Sequence, residues 1–314
     1  MTWWADANAR AAGLTGHLLD AEAWRRMRMC ADVPALCREL QRLGYAVSPG
    51  DDPRTVEQAI DRMRRRREAV LRHWLGKRVR YLRFHLEADD FHALRALLRR
   101  VADDESAAPT KDPLDSLRDL ADREEPLAMR AVEEHQAFVA RWPDLPSLFS
   151  LEQALLRAFA ARALEGARRG RKGVPDRVRR AIDLTNARAI VALGTDRDLP
   201  AEAVFLEGGE ALPLETFRSA FAASDEHAAR ALLGAPLPGA FGAALADPQV
   251  SSQRLDRALL LAELDAERRA ARQDPMGPAP VFLLLARQQL EARDLRGLLW
   301  ARALGAPPDP ERWT

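Results

Sequence analysis

The sequence predicts an all-α protein, and three observations predict it. Ala, Leu, Arg and Glu, all good helix formers, dominate a 314-residue chain in which aromatic residues make up only 6%. No stretch of useful length alternates apolar with polar side chains, whereas helical periodicity recurs throughout. Proline and glycine clusters fall between the periodic stretches rather than inside them.

Taken in order, the turn cluster Ser48 to Pro53 precedes the first clear helix, roughly 54–75, and Asp52-Pro53 suits its start. A second cluster, Ala107 to Pro113, is followed by helices at about 150–167 and 176–193. Asp196 to Pro200 and Gly208-Gly209 interrupt the pattern again, and Val204-Phe205-Leu206 between them is the best candidate for a short extended segment. Pro236, Pro238 and Gly239, then Pro275, Gly277 and Pro278, set off the last two helices, about 252–271 and 279–303. In the final helix Leu283, Leu284, Leu290, Leu295, Leu298 and Leu299 cover much of the circumference, which predicts a helix surrounded by others.

One motif returns three times. An acid is followed three positions later by a short or polar residue, two further on by an arginine, and then by aliphatics: Asp90 to Leu98 with Arg95, Asp183 to Ile190 with Asn186 and Arg188, and Glu291 to Leu299 with Arg296. Each copy is preceded by an acid opening an Ala/Leu-rich stretch, at Glu57, Glu152 and Asp256, and upstream of that by a weaker signal beginning at Leu19, Leu114 and Leu212. Three ordered signals repeated three times predict three copies of one helical unit, over 1–110, 111–205 and 206–314. Within a motif, acid and arginine lie about 140° apart at roughly 100° per residue, so the arginine's partner is on another helix. Two readings of Arg95, Arg188 and Arg296 stand side by side: they brace neighbouring units, or they line a surface that grips a partner.

With Ala7-Asn8-Ala9-Arg10 near the start, Asp183-Leu184-Thr185-Asn186 in the middle and Pro280, Phe282, Glu291, Asp294 and Arg296 near the end, the chain resembles the central-stalk subunit of V-type and A-type rotary ATPases, designated C in bacteria and archaea and d in eukaryotes. Ala93 and Asp294 depart from it, standing where that family commonly has Asn, and the acidic span from Asp103 to Glu134 matches poorly. The resemblance implies a funnel of three pseudo-threefold-related units, one copy per complex. Its mouth would accept the central axle subunits and its narrow end would sit on the membrane proteolipid ring. It also implies a non-catalytic rotor component. From the repeated motif itself, Asp90, Asp183, Asn186, Glu291 and the three arginines are expected in bracing or partner contact.

The formal net charge is +1, but basic residues cluster. Asp61 to Arg83 carries ten Lys/Arg against two acids, including Arg64, Arg65, Arg66 and Arg67; Arg168 to Arg180 carries seven against one, including Arg168, Arg169, Arg171 and Lys172; Arg268, Arg269 and Arg272 form a third group. All occupy one slot of the repeat. They are either solvated helix faces or an electropositive, ring-facing end suited to acidic surfaces or headgroups. Nucleic acid is the competing partner for a soluble helical scaffold, but few stacking aromatics accompany the arginines and no reader motif is present, so none is expected.

Catalytic patterns fail on inspection. Gly166 to Gly173 lacks the Gly-Lys-Ser/Thr ending of a phosphate loop. Asp89 and His92 have metal-site spacing without a second such pair, and no nucleophile-base arrangement stands out, so neither cofactor nor metal is expected. Cys30 and Cys37, on one helix, would lie about 10 Å apart at roughly 1.5 Å per residue, too far for a disulfide. No run approaches the roughly 18 apolar residues that cross a bilayer, and no leader opens the chain, so a cytoplasmic protein meeting the membrane through its partners is expected.

Overall fold

Acid-proline pairs start several of the helices. Asp52 accepts from the N–H groups of Arg54 and Thr55 with Pro53 next in the chain, and Asp112-Pro113 and Glu125-Pro126 repeat the device at two later helices. The acid satisfies N–H groups that have no partner within the helix, and proline lacks the one it would leave unmatched. The computed structural model describes residues 4–103, 112–168, 170, 173–193, 198–237, 239–247 and 252–306. Among them there is helix and no strand.

The helices run α1 (Ala5–Thr15), α2 (Ala21–Arg28), α3 (Val33–Arg42), α4 (Pro53–Leu75), a 3-10 turn (Gly76–Leu82), α5 (Arg83–Leu86), α6 (Ala88–Ala102), α7 (Pro113–Asp122), α8 (Pro126–Arg141), α9 (Ser147–Ala167) and α10 (Val174–Leu193). They continue with α11 (Ala201–Val204), α12 (Leu214–Phe221), α13 (Glu226–Gly234), α14 (Ala240–Ala246), α15 (Ser252–Gln273) and α16 (Ala279–Ala303). The five long helices read from the sequence are α4, α9, α10, α15 and α16. The extended segment expected at Val204-Phe205-Leu206 is a correction: Val204 closes α11, Phe205 has extended backbone at its end, and no strand forms there. Leu206 has its N–H and carbonyl taken by a side chain, so no ladder can start there.

The described residues group into two units. Unit 1 takes residues from both flanks of the sequence, 1–76 and 260–314. In it α4 and α16 pack along one another, α1 packs against both, and α3 and α2 follow. Met27, Leu36, Leu40, Val56, Ile60, Leu298 and Leu299 form its core. Burying each such side chain contributes about 1.5–3 kcal/mol. Most of α16 is buried, from Val281 and Phe282 through Leu298 and Leu299, but not the whole circumference that its apolar pattern predicts: Leu283 and Leu290 are half-buried and Trp300 is exposed.

Unit 2 is the continuous stretch 77–259. Helices α8 and α9 pair closely, α6 and α7 cover them, and α10 carries α12 and α13. Its core centres on Phe91 stacked against Phe159, with centroids 5.1 Å apart. Gly166 of α9 packs so close to the 3-10 turn that a Cβ there would stand 2.1 Å from the Arg80 carbonyl oxygen.

Candidate functional site

The repeated acids turn inward and bind backbone. Asp183, only 1% exposed on α10, accepts three N–H groups in sequence: Glu210 at 3.1 Å and Ala211 at 2.9 Å on one oxygen, Leu212 at 3.1 Å on the other. One helical turn on, the Asn186 amide donates to the Leu206 carbonyl and accepts the Leu206 N–H, both at 2.8 Å. The two side chains hold residues 206 to 212 against α10 up to the start of α12. Gly209 is required there, because a Cβ at that position would meet the Asp183 carboxylate at 2.0 Å.

Glu291 plays the same part in unit 1. It accepts the Leu19 N–H at 2.6 Å just before α2, the Tyr45 hydroxyl at 3.1 Å, and the Arg67 guanidinium, which also donates to the His17 carbonyl at 2.6 Å. Leu19 and Leu212 are the residues that open the weak upstream signal in two repeats, so one residue of the pattern is held by the motif acid in both. The first repeat departs from this. Asp90 is exposed, and the Leu114 N–H goes to Asp112 at 2.9 Å within its own helix cap. Burial and the Glu291 charge together raise the Tyr45 hydroxyl far above its ordinary pKa, so it stays a donor.

Two of the three arginines pair with the acids of the other signal, and the third pairs with a neighbouring acid. Arg95 reaches Glu152 at 2.9 Å, joined by Arg99, and Arg188 reaches Asp256 at 3.0 Å. Arg296 reaches Asp61 at 3.5 Å, one turn beyond Glu57, which is met instead by the Trp300 indole N–H at 3.3 Å. Along the sequence, Arg95 belongs to the first copy of the motif and Glu152 precedes the second, while Arg188 belongs to the second and Asp256 precedes the third.

These contacts hold backbone segments and helices together. No group of three or more His, Cys, Asp or Glu residues able to hold a metal occurs among the described residues. The profile of one protein family, described as ATP synthase (C/AC39) subunit, matches residues 7–311. The chain belongs to that family. No curated protein matches it. An AC39-family chain is a subunit of a V/A-type ATPase, and among the described residues no helix is long and apolar enough to cross a membrane.

The basic residues of this AC39-family chain divide. Arg65, Arg66, Arg168, Arg268, Arg269 and Arg272 are exposed, and Arg268 also meets Asp265 at 3.0 Å. Arg169, Arg171 and Lys172 lie outside the described residues. Arg67 is a correction to the ring-facing group. It is 7% exposed and its guanidinium is spent on Glu291 and His17 inside unit 1. Arg64 turns inward as well, pairing with Glu68 at 2.6 Å. The signal for Arg67 was in the sequence: it lies four residues from both Met63 and Leu71, on the apolar stripe of α4.

Tyr45 and Arg302 carried no such signal. Arg302, 6% exposed, donates to the carbonyls of Cys30 at 2.6 Å and Arg28 at 2.8 Å. Cys30 and Cys37 do not share a helix, since α2 ends before Cys30, and both are buried free thiols.

Proposed function

We propose that this subunit is a non-catalytic rotor component of the central stalk. It couples the axle to the membrane proteolipid ring, so that torque passes between ATP turnover in the head and ion movement in the ring. Family membership supplies the complex. The observation that carries the mechanical part is the set of ion pairs, Arg95 with Glu152, Arg188 with Asp256 and Arg296 with Asp61. Such a set suits three repeated units, 1–110, 111–205 and 206–314, each locked to the next. A torque-transmitting part has to resist twisting, and packed helices with anchored connections do so better than free linkers. The exposed basic residues Arg65, Arg66, Arg168, Arg268, Arg269 and Arg272 suit the ring-facing side at the cytoplasmic membrane surface, with one copy per complex.

The test is coupling in the assembled complex on membranes. With the subunit left out, the catalytic head should keep hydrolysing ATP while ATP-driven ion uptake disappears, and adding the subunit back should restore uptake. Uptake that persists without it would remove the rotor role. In the same membranes, reversing the six exposed arginines together should release the catalytic head at lower salt, because each exposed pair is worth only about 0–1 kcal/mol and is screened.

A further inference from the structure

We propose that the groove between α2 and α3 docks an acidic, amphipathic helix of a partner protein, with Met29 as the apolar contact at its centre. The inference stands on unit 1 alone and not on the rotor reading. The groove has a volume of about 550 Å³, and Arg25, Arg26, Arg38 and Arg42 line it together with Met29 and Cys30. Two carboxylates face these four arginines: Glu22, 3.0 Å from Arg26, and Glu39, which meets Arg26 at 3.4 Å and also pairs with Arg42. The groove therefore keeps a positive surplus.

Met29 is 70% exposed, yet its backbone is fixed on both sides. The carbonyls of its neighbours Arg28 and Cys30 are both held by the buried Arg302 at the end of α16. A pinned backbone presents the side chain at a fixed place, so only the side chain's own rotamers remain to be ordered on binding. A polarizable, unbranched thioether also adapts to the shape of an incoming side chain.

Charge sets this groove apart from the equivalent places in the other repeats. Residues 21–42 hold five arginines against three carboxylates, 113–141 hold four against seven, and 214–234 hold two against three. Only the first repeat presents a basic short-helix pair, so a partner that recognises it would meet the chain from one side. Nucleic acid fits less well, because no aromatic side chain lines the groove for bases to stack on. Helix-in-groove recognition with carboxylates flanking an aliphatic anchor matches both the arginines and Met29.

The test uses the full-length protein with 13C-methyl methionine and a helical probe peptide of about 20 residues carrying a leucine flanked by glutamates at i±3 and i±4. Met29→Leu assigns the Met29 methyl resonance, and Met129 and Met276, 46% and 43% exposed, serve as internal controls. The proposal expects a saturable shift of Met29 while the two controls stay still. It expects Arg25→Glu with Arg38→Glu to weaken binding on the order of tenfold, and a lysine version of the peptide to give no shift. No shift, or equal shifts at all three methionines, would overturn it. So would unchanged affinity when the peptide's leucine is replaced by glycine, which leaves charge alone. A concentration-dependent Met29 shift without peptide, matched by a dimer in sedimentation, would assign the groove to a second copy. A difference at Met29 between the free full chain and a chain ending at Ala306 would assign it to the chain's own last residues. Either result would overturn the proposal.

Discussion

Asp183 shows how much a single carboxylate can hold. It is nearly free of solvent and satisfies three consecutive N–H groups, so removing it takes the acceptor from a buried donor at Leu212 and two part-buried ones at Glu210 and Ala211. An unsatisfied buried polar group costs about 1–3 kcal/mol. Asp183→Ala should therefore lower unfolding stability by about 3 kcal/mol or more, read as a drop in urea midpoint, and should do so as much at high salt as at low. Glu152 gives the pH dependence. Burial alone would raise its pKa, but hydrogen bonds from Arg99 and Arg95 more than offset that and hold it below its ordinary value of 4.5. A depressed carboxylate adds stability that is full above the unfolded pKa and is lost as pH falls through the folded one. The gap in melting temperature between wild type and Glu152→Gln should be constant at neutral pH and close as pH falls below the ordinary carboxylate range, through the depressed folded-state titration of Glu152. A gap that persists in strong acid would mean the ion pairs are not its cause. At this scale the sequence showed which residues recur but not what they bind. The Asp183 and Asn186 partners are backbone groups of a loop, and backbone groups leave no mark in side-chain pattern. Ala93, the departure from Asn, is explained by exposure: its position on α6 faces solvent, while Asn186 is buried with an amide that matches Leu206 on both sides.

The long helices were readable because their signals are local. Asp52-Pro53 marks the start of α4, and the apolar circumference of α16 announces its burial. Shorter pieces such as α11 and α14 were missed, since four and seven residues give too few turns for a period to show. Close packing between elements was equally hidden. Gly166 looks like part of a glycine-rich basic turn, but it lies in α9, where its missing side chain admits the 3-10 turn carrying Arg80. Because the obstacle is a backbone carbonyl rather than a flexible side chain, Gly166→Ala has to push the two elements apart. The gain in helix propensity is about 1 kcal/mol, and overpacking costs about 1–3 kcal/mol, so the loss should win. A lower melting temperature for Gly166→Ala is the expected result, and a higher one would show that the contact yields easily.

Across the whole molecule the repeated motif divides its labour unevenly. Its arginines pair with acids on other helices, but Arg188 with Asp256 and Arg296 with Asp61 are each more than a quarter exposed, at 37% and 56%, and 38% and 31%. Water and salt screen such pairs, and a double-mutant cycle on Arg188 and Asp256 should give a coupling below about 1 kcal/mol. Arg67 with Glu291 is the opposite case, at 9% and 6%. Breaking a buried pair from one side costs about 3–5 kcal/mol. Glu291→Ala should therefore be several times as damaging as Arg188→Ala in the same urea titration, and similar losses would contradict this division. The three-copy pattern pointed to both sets of residues, but it could not rank them, because burial is a property of the folded chain.

The discontinuous make-up of unit 1 sets an order of events during synthesis. Helices α1 to α4 leave the ribosome well before α16, the helix that completes their core and brings the carboxylate that neutralises Arg67. Unit 2 is continuous and has everything it needs as soon as it has emerged, so it can fold while synthesis goes on. The early helices meanwhile wait with an arginine on their apolar face, too costly to bury alone and therefore a barrier to premature collapse. A helix made later closes a part made earlier, and a nascent chain halted before Glu291 would leave the ribosome with the core of α1 to α4 still open.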